Sequence, residues 1–148
     1  MSREPFPLYG PGEDPGTTRG ALVALRDSQG RELMQLRDDF PDIAYGGYWG
    51  FFGGGVESGE TLAEAALREL EEETGLVLPA SALTPFGQVQ SRSARRTRLF
   101  VFPATLDVNP KDIRLGEGAG FALLTPAQLR AVPLVPVLVP LIEAYLAA

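Results

Sequence analysis

The sequence predicts a single α/β (α+β) domain in which strands and helices share one core. Three observations predict it: short apolar runs set between turn residues, one long amphipathic helix with readable ends, and a length of 148 residues with 45% apolar content. A chain of that size can bury one proper core, and that composition excludes a disordered chain. There is no Cys and no His. Disulfides, thiolate chemistry and the usual neutral-pH base are thereby removed, leaving carboxylates, metal-bound water, Tyr or Lys for proton transfer. The lack of Cys fits a cytoplasmic location. No apolar run approaches the roughly eighteen residues of a membrane span, and Met1 to Pro5 does not open a signal peptide. A net charge of −6 argues against a nucleic acid polymer as partner. It is compatible with a small anionic substrate whose charge a bound cation would offset.

Residues 1–16, rich in Pro and Gly, read as a flexible lead-in, and residues 17–148 as one domain. Ala21 to Leu25 is a buried strand, Asp27 to Gly30 a turn, and Glu32 to Arg37 the returning hairpin partner. Asp38 to Gly47 is a loop of a length that often lines a site. Tyr48 to Phe52 is a short aromatic strand entering a glycine run; Trp49 could stack on a base, but aromatics beside glycine more often pack. Further on, Phe86 to Ser91 and Thr97 to Phe102 form two strands joined around Ser93 and Ala94. Alternation would put Arg96 and Arg98 on one face and Arg95 on the other. Guanidinium forks there suit phosphate, although charge also blunts an edge strand. Phe121 to Leu124 is the last strand. Thr125 caps a helix with Pro126 in its first position, and a final helix over about Val137 to Leu146 accepts Pro140 only in its first turn. The apolar tail and the lead-in offer surface for a homodimer.

The central stretch is Gly54-Gly55-Val56-Glu57-Ser58-Gly59-Glu60 and the helix that follows. Thr61 and Glu64 make a capping box, and Gly75 sits where a left-handed residue ends a helix. Between them Leu62, Ala63, Ala66, Leu67, Leu70 and Thr74 form one apolar arc. Glu69, Glu72 and Glu73, spaced i, i+3, i+4, share a patch of helix surface, and Glu73 points into the edge of that arc. Like charges so close repel unless a divalent cation joins them, and Mg2+ is a hard ion that takes carboxylate oxygens, waters and substrate phosphates. Arg68 can pair with and orient a neighbouring carboxylate. Glu117, between glycines ahead of the last strand, is placed to reach the cluster from a second loop.

Gly54 to Leu76 resembles the Nudix box, G-x5-E-x7-R-E-U-x-E-E-x-G-U with U aliphatic. All nine defined positions are filled, by Gly54, Glu60, Arg68, Glu69, Leu70, Glu72, Glu73, Gly75 and Leu76. The resemblance implies an α/β/α sandwich with a central mixed sheet that hydrolyses nucleoside diphosphates linked to a group X. It implies Mg2+, with Mn2+ able to substitute, held by Glu69, Glu72, Glu73 and the carbonyl of Gly53, with Glu117 resembling the extra carboxylate of the MutT-like branch. Arg37 falls where that branch places a phosphate-contacting Arg; Arg96 and Arg98 are further substrate-binding candidates. Arg68, Glu69, Glu72 and Glu117 are the catalytic candidates, the base being Glu69 or Glu117.

Three departures bear on the substrate. Phe52 stands where many relatives have Pro. No Asn occurs around Val135 and Pro136, so selectivity for an oxidised guanine is not supported. Ser91 and Arg92 replace the Pro of ADP-ribose hydrolases, and no Tyr marks a dinucleoside polyphosphate hydrolase. By elimination the expected substrate is a nucleoside di- or triphosphate. The alternatives are a nucleotide sugar or other X, or a non-catalytic nucleotide sensor on the same fold; a pure binder has no need of three repelling carboxylates.

Overall fold

The computed structural model describes residues 5–12, 18–41, 43, 45–91, 96–116 and 118–148. Its centre is β1 (Arg19–Arg26), whose apolar run is buried on both faces as a central strand requires. Alternation sends Ala21, Val23 and Leu25 to one core cluster and Leu22 and Ala24 to the other. β2 (Glu32–Leu36) returns from the turn but touches β1 in register only at Arg26 and Glu32. Beyond that point the two strands part.

The parting is filled by one short piece of chain that changes partner. β3 (Trp49–Gly50) pairs with β2, and β4 (Phe52–Gly55) pairs with β1, with Phe51 between them. Phe52 is 1% exposed and lies opposite Val23, so the residue standing in place of Pro is a core strand position. Trp49 packs on the core and is bonded to the 133–135 segment through its backbone, in accord with a packing role.

β5 (Gly87–Gln90) and β6 (Arg98–Thr105) form an antiparallel pair, and β6 runs parallel to β1. β7 (Gly120–Leu124) closes on β2, completing a mixed seven-stranded sheet. Helix α1 (Leu62–Thr74) covers one face through Ala65, Ala66 and Leu70. The other face is covered by α3 (Val139–Ala147) through Leu141, Ile142 and Tyr145, after the short α2 (Pro126–Leu129). Pro140 falls in the first turn of α3, where its missing N–H costs nothing. In the lead-in, Phe6 packs edge-on against Phe100 and Phe102, and Tyr9 stacks on Phe86. Tyr9 N–H donates to the Gln88 carbonyl at 2.9 Å, so this segment runs along β5.

One expectation about the β5–β6 turn is corrected. Arg96 has φ of +49° and precedes the first residue of β6, so strand alternation does not place it on a face with Arg98. Arg98 itself is buried beside Gln90. Arg95 and the Ser93–Ala94 join lie outside the described residues.

Far from the glycine run, Glu32 is wholly buried. Its carboxylate accepts from Arg26 Nε at 2.6 Å and from the Tyr145 hydroxyl at 2.8 Å, while the guanidinium lies 4.6 Å from the Tyr145 ring centre. This knot ties α3 to the first hairpin. Burial raises the Glu32 carboxyl above the usual range despite the opposing pull of Arg26 and Tyr145.

Candidate active site

The helix ends that position the site follow local chemistry. Thr61 Oγ1 accepts from Glu64 N–H at 3.1 Å and Glu64 Oε1 accepts from Thr61 N–H at 3.0 Å. Gly75, at φ +78°, ends α1 with its N–H on the Glu71 carbonyl at 2.8 Å. Between these caps the phase of the helix is set, and with it the direction of each carboxylate.

Arg68 is the hub. Its Nε and Nη2 donate to the two oxygens of Glu60 at 2.7 and 2.9 Å, and Nη2 also reaches the Gly55 carbonyl at 3.0 Å. Nη1 donates to Glu69 Oε1 at 3.0 Å and reaches Glu72 Oε2 at 3.3 Å, with Glu57 at 3.8 Å. One cation therefore serves four carboxylates and the loop that carries two of them. The guanidinium holds the Glu60 carboxyl down at about 2. The same pairing raises Arg68 above the usual guanidinium range.

Two carboxylates face the glycine run, Glu69 while still bonded to Arg68. Glu69 lies against the backbone of Gly54: a Cβ there would fall 2.4 Å from Glu69 Cδ, so only glycine leaves the space. Glu73, 5% exposed, accepts from Gly53 N–H at 2.9 Å through Oε1. Gly53 has φ of +153°, and a Cβ there would meet the Ala21 carbonyl at 2.2 Å. Glu69 and Glu73 thus reach successive residues of one glycine run.

That run forms one side of a cleft of about 1030 Å3 where β1 and β2 part. Glu57, Glu69, Glu73 and Gly53 to Gly59 line it; Leu22, Phe51, Val135 and Leu138 give it an apolar floor. Arg19 and Arg37 are its described basic side chains, and Phe40 is 59% exposed at its edge. Such a surface, with a few polar groups at one end, is what a ligand with a charged and an apolar part needs.

Of the expected site residues, Gly53, Glu69, Glu73 and Arg37 line this cleft, whereas Arg68, Glu72, Arg96 and Arg98 are not among its lining residues. Arg68 holds Glu72 at the surface, with 58% of that side chain exposed. Among the described residues, no group of three or more acidic side chains is arranged to hold a metal ion. Glu117 lies outside the described residues. Its neighbour Gly116 donates to the Glu73 carbonyl at 2.8 Å, and Gly118 donates to Asp38 Oδ2 at 3.2 Å. Among the cleft residues that the sequence reading did not single out are Arg19, Gln35, buried in β2, and Tyr45, held at φ +57°. The loop glycines beside Tyr45 were the available signal for that residue.

The donor set fits a hard divalent ion. Mg2+ is ordinarily held by one or two carboxylates, with water and substrate phosphate in its remaining positions. Glu69 and Glu73 facing one cleft from adjacent turns of α1 supply that number.

A family model described as NUDIX domain matches residues 16–145. An uncharacterized Nudix hydrolase of Pseudomonas aeruginosa is 44% identical over 59 residues, 39% of this chain and 34% of the relative. The nucleoside triphosphatase NudI of Escherichia coli is 48% identical over 57 residues, 36% of this chain and 37% of the relative. The matches thus span about a third of those curated relatives. The crystal structure of a MutT protein from Methanosarcina mazei superposes with a TM-score of 0.72 at 19% identity, covering 97% of this chain and 96% of that one. At that identity the likeness speaks for the fold.

Proposed function

Because this chain belongs to the NUDIX domain family, we propose that it hydrolyses a phosphoanhydride bond in a nucleoside diphosphate linked to X, with a nucleoside di- or triphosphate as substrate. The observation that carries the reading is the pair Glu69 and Glu73, aimed into one cleft against Gly54 and Gly53. The similarity to a nucleoside triphosphatase over the matched third supports a triphosphate.

In this reading Glu69 and Glu73 would hold Mg2+ or Mn2+, and Glu72, Glu117 and the Gly53 carbonyl would be further ligands. The ion would shield the diphosphate charge and acidify a bound water. The glycine run lets the phosphates approach the backbone closely. Glu69 or Glu117 accepts the proton of the attacking water, since the chain has no His. Arg37, in the cleft wall, meets charge developing on the departing phosphate. Arg68 touches no substrate; it fixes Glu69, Glu72 and Glu60 in their places. The apolar floor receives the nucleoside.

The test is product release with Mg2+ or Mn2+ over nucleotides, oxidised nucleotides, nucleotide sugars and dinucleoside polyphosphates, with Glu73→Gln alongside. Turnover of one class, lost by at least about 100-fold in the variant, is expected, because even partners behind a ligand are worth 10–100-fold. Nucleotide binding without turnover of any class would overturn hydrolysis and favour a sensor.

A further inference from the structure

Gln35 is a buried amide in the cleft that the proposed reaction does not use. It is 4% exposed, and it sits in β2 opposite Gly50 of β3. A buried amide is kept in a fold only where its polar ends are answered. One answer is Glu73: Gln35 Nε2 lies 3.5 Å from Glu73 Oε2. A carboxylate only accepts, which decides that the NH2 end of the amide faces it.

Glu73 is therefore gripped from two strands. Gly53 N–H of β4 takes Oε1 at 2.9 Å, and Gln35 of β2 stands at Oε2. Glu69 and Glu72 differ in that each also meets the Arg68 guanidinium. Neutral donors such as these set the direction of a carboxylate without themselves adding positive charge. The loop before β7 also settles on Gln35. Gly118 has φ of +100°, and a Cβ there would stand 2.9 Å from Gln35 Nε2. Ala119 N–H donates to the Leu36 carbonyl at 2.9 Å, locking that approach.

We infer that Gln35 is a positioning residue: from the β2 side it orients the Glu73 carboxylate toward a divalent cation, without itself touching substrate. The inference rests on the reading of Glu73 as a cation ligand given above. Gln35→Leu removes the donor and keeps the buried volume. Mn2+ affinity of the nucleotide-free protein, read from the free-Mn2+ resonance, should weaken about tenfold, the lower range for a partner behind a ligand. Turnover should recover as Mn2+ is raised, with nucleotide KM and the unfolding midpoint near wild type. A merely structural role predicts a lowered midpoint and unchanged Mn2+ affinity in the folded fraction. Should Gln35→Leu fail to fold, Gln35→Met carries the same expectation.

Wild-type Mn2+ affinity in the folded variant overturns the inference. Glu73→Gln, titrated in parallel, separates the two levels. If it loses Mn2+ while Gln35→Leu keeps it, only the role of Gln35 fails. If Glu73→Gln itself binds Mn2+ like wild type, the ligand assignment fails and takes the inference with it.

Discussion

Two arginines in this molecule are surrounded by glutamate in opposite ways. Arg26 meets one buried carboxylate, Glu32, whose other oxygen is taken by Tyr145. Arg68 stands among Glu57, Glu60, Glu69 and Glu72, with Glu73 buried nearby on the same helix. The first arrangement balances charge one to one and closes. The second sets, among the described residues, more carboxylates than guanidinium groups beside a cleft. Burial alone does not mark a functional carboxylate, since Glu32 is the more buried of Glu32 and Glu73. What separates them is the ratio: among the described residues one guanidinium meets one carboxylate at Arg26 and four at Arg68, and an excess of carboxylate beside a cleft suits a cation.

The sharpest way to break the comparison is Glu32→Ala. It leaves the Tyr145 hydroxyl and Arg26 without their acceptor and should cost about 3 kcal/mol in denaturant unfolding, at the low end for a broken buried pair because Arg26 can swing to water. Turnover per folded molecule should not change. Gly54→Ala is the reciprocal experiment. Its Cβ would displace the Glu69 carboxylate, so turnover should fall about 100-fold, close to 2.7 kcal/mol of barrier, with little change in stability. Tyr145→Phe removes only one donor from Glu32 and should cost about 1.5 kcal/mol in the same unfolding measurement.

The smallest effect carries the clearest sign. The Glu60 carboxyl, lowered to about 2 in the fold by Arg68, contributes stability that is present above its ordinary value near 4.5 and lost as pH falls between them. Glu32 is shifted the other way by burial. Its protonated form is favoured in the fold, so its contribution is full below the ordinary carboxyl pKa and lost as pH rises through the raised value. Acid unfolding of Glu60→Gln should therefore lose part of the instability developing from about pH 4.5 down to 2. In Glu32→Gln, the loss of stability on raising pH from below 4.5 should flatten. Slopes of one sign in both would defeat the assignment.

Much of the fold was legible because its signals are local. The caps of α1 are spelled by Thr61, Glu64 and Gly75, the start of α2 by Thr125 and Pro126, and the place of Pro140 by the geometry of a first turn. The inward turn of Glu73 was visible in the phase of the apolar arc. What escaped depends on partners distant in the chain. Glu32 reads as a solvent residue at the head of a hairpin until Tyr145, 113 positions later, folds over it. Gln35 looks like an alternating strand residue until α1 brings Glu73 to it. Arg96 and Arg98 seemed to alternate because period two presumes extended backbone, and φ of +49° at Arg96 ends that premise. The switch of partner at Phe51 has no sequence mark either, since aromatic, glycine and apolar residues suit both β3 and β4.

The place of β1 at the centre of the sheet has a consequence for the order in which the molecule assembles. Its antiparallel neighbours β2 and β4 arrive early along the chain, but its parallel neighbour β6 arrives late: Thr18 and Thr97, whose hydroxyls meet at 2.8 Å beside that pairing, are 79 positions apart. Closing so long a loop must precede any reward from the contact, and folding rates fall as such pairings dominate. A circular permutant opened within residues 109–112, with the original ends joined, keeps the natural connection from β1 to β6 through α1; one opened at the β1–β2 turn places β1 after β6 and connects them through the original ends instead. Comparing their refolding rates would show whether the search for β6 is the slow step in making the cleft.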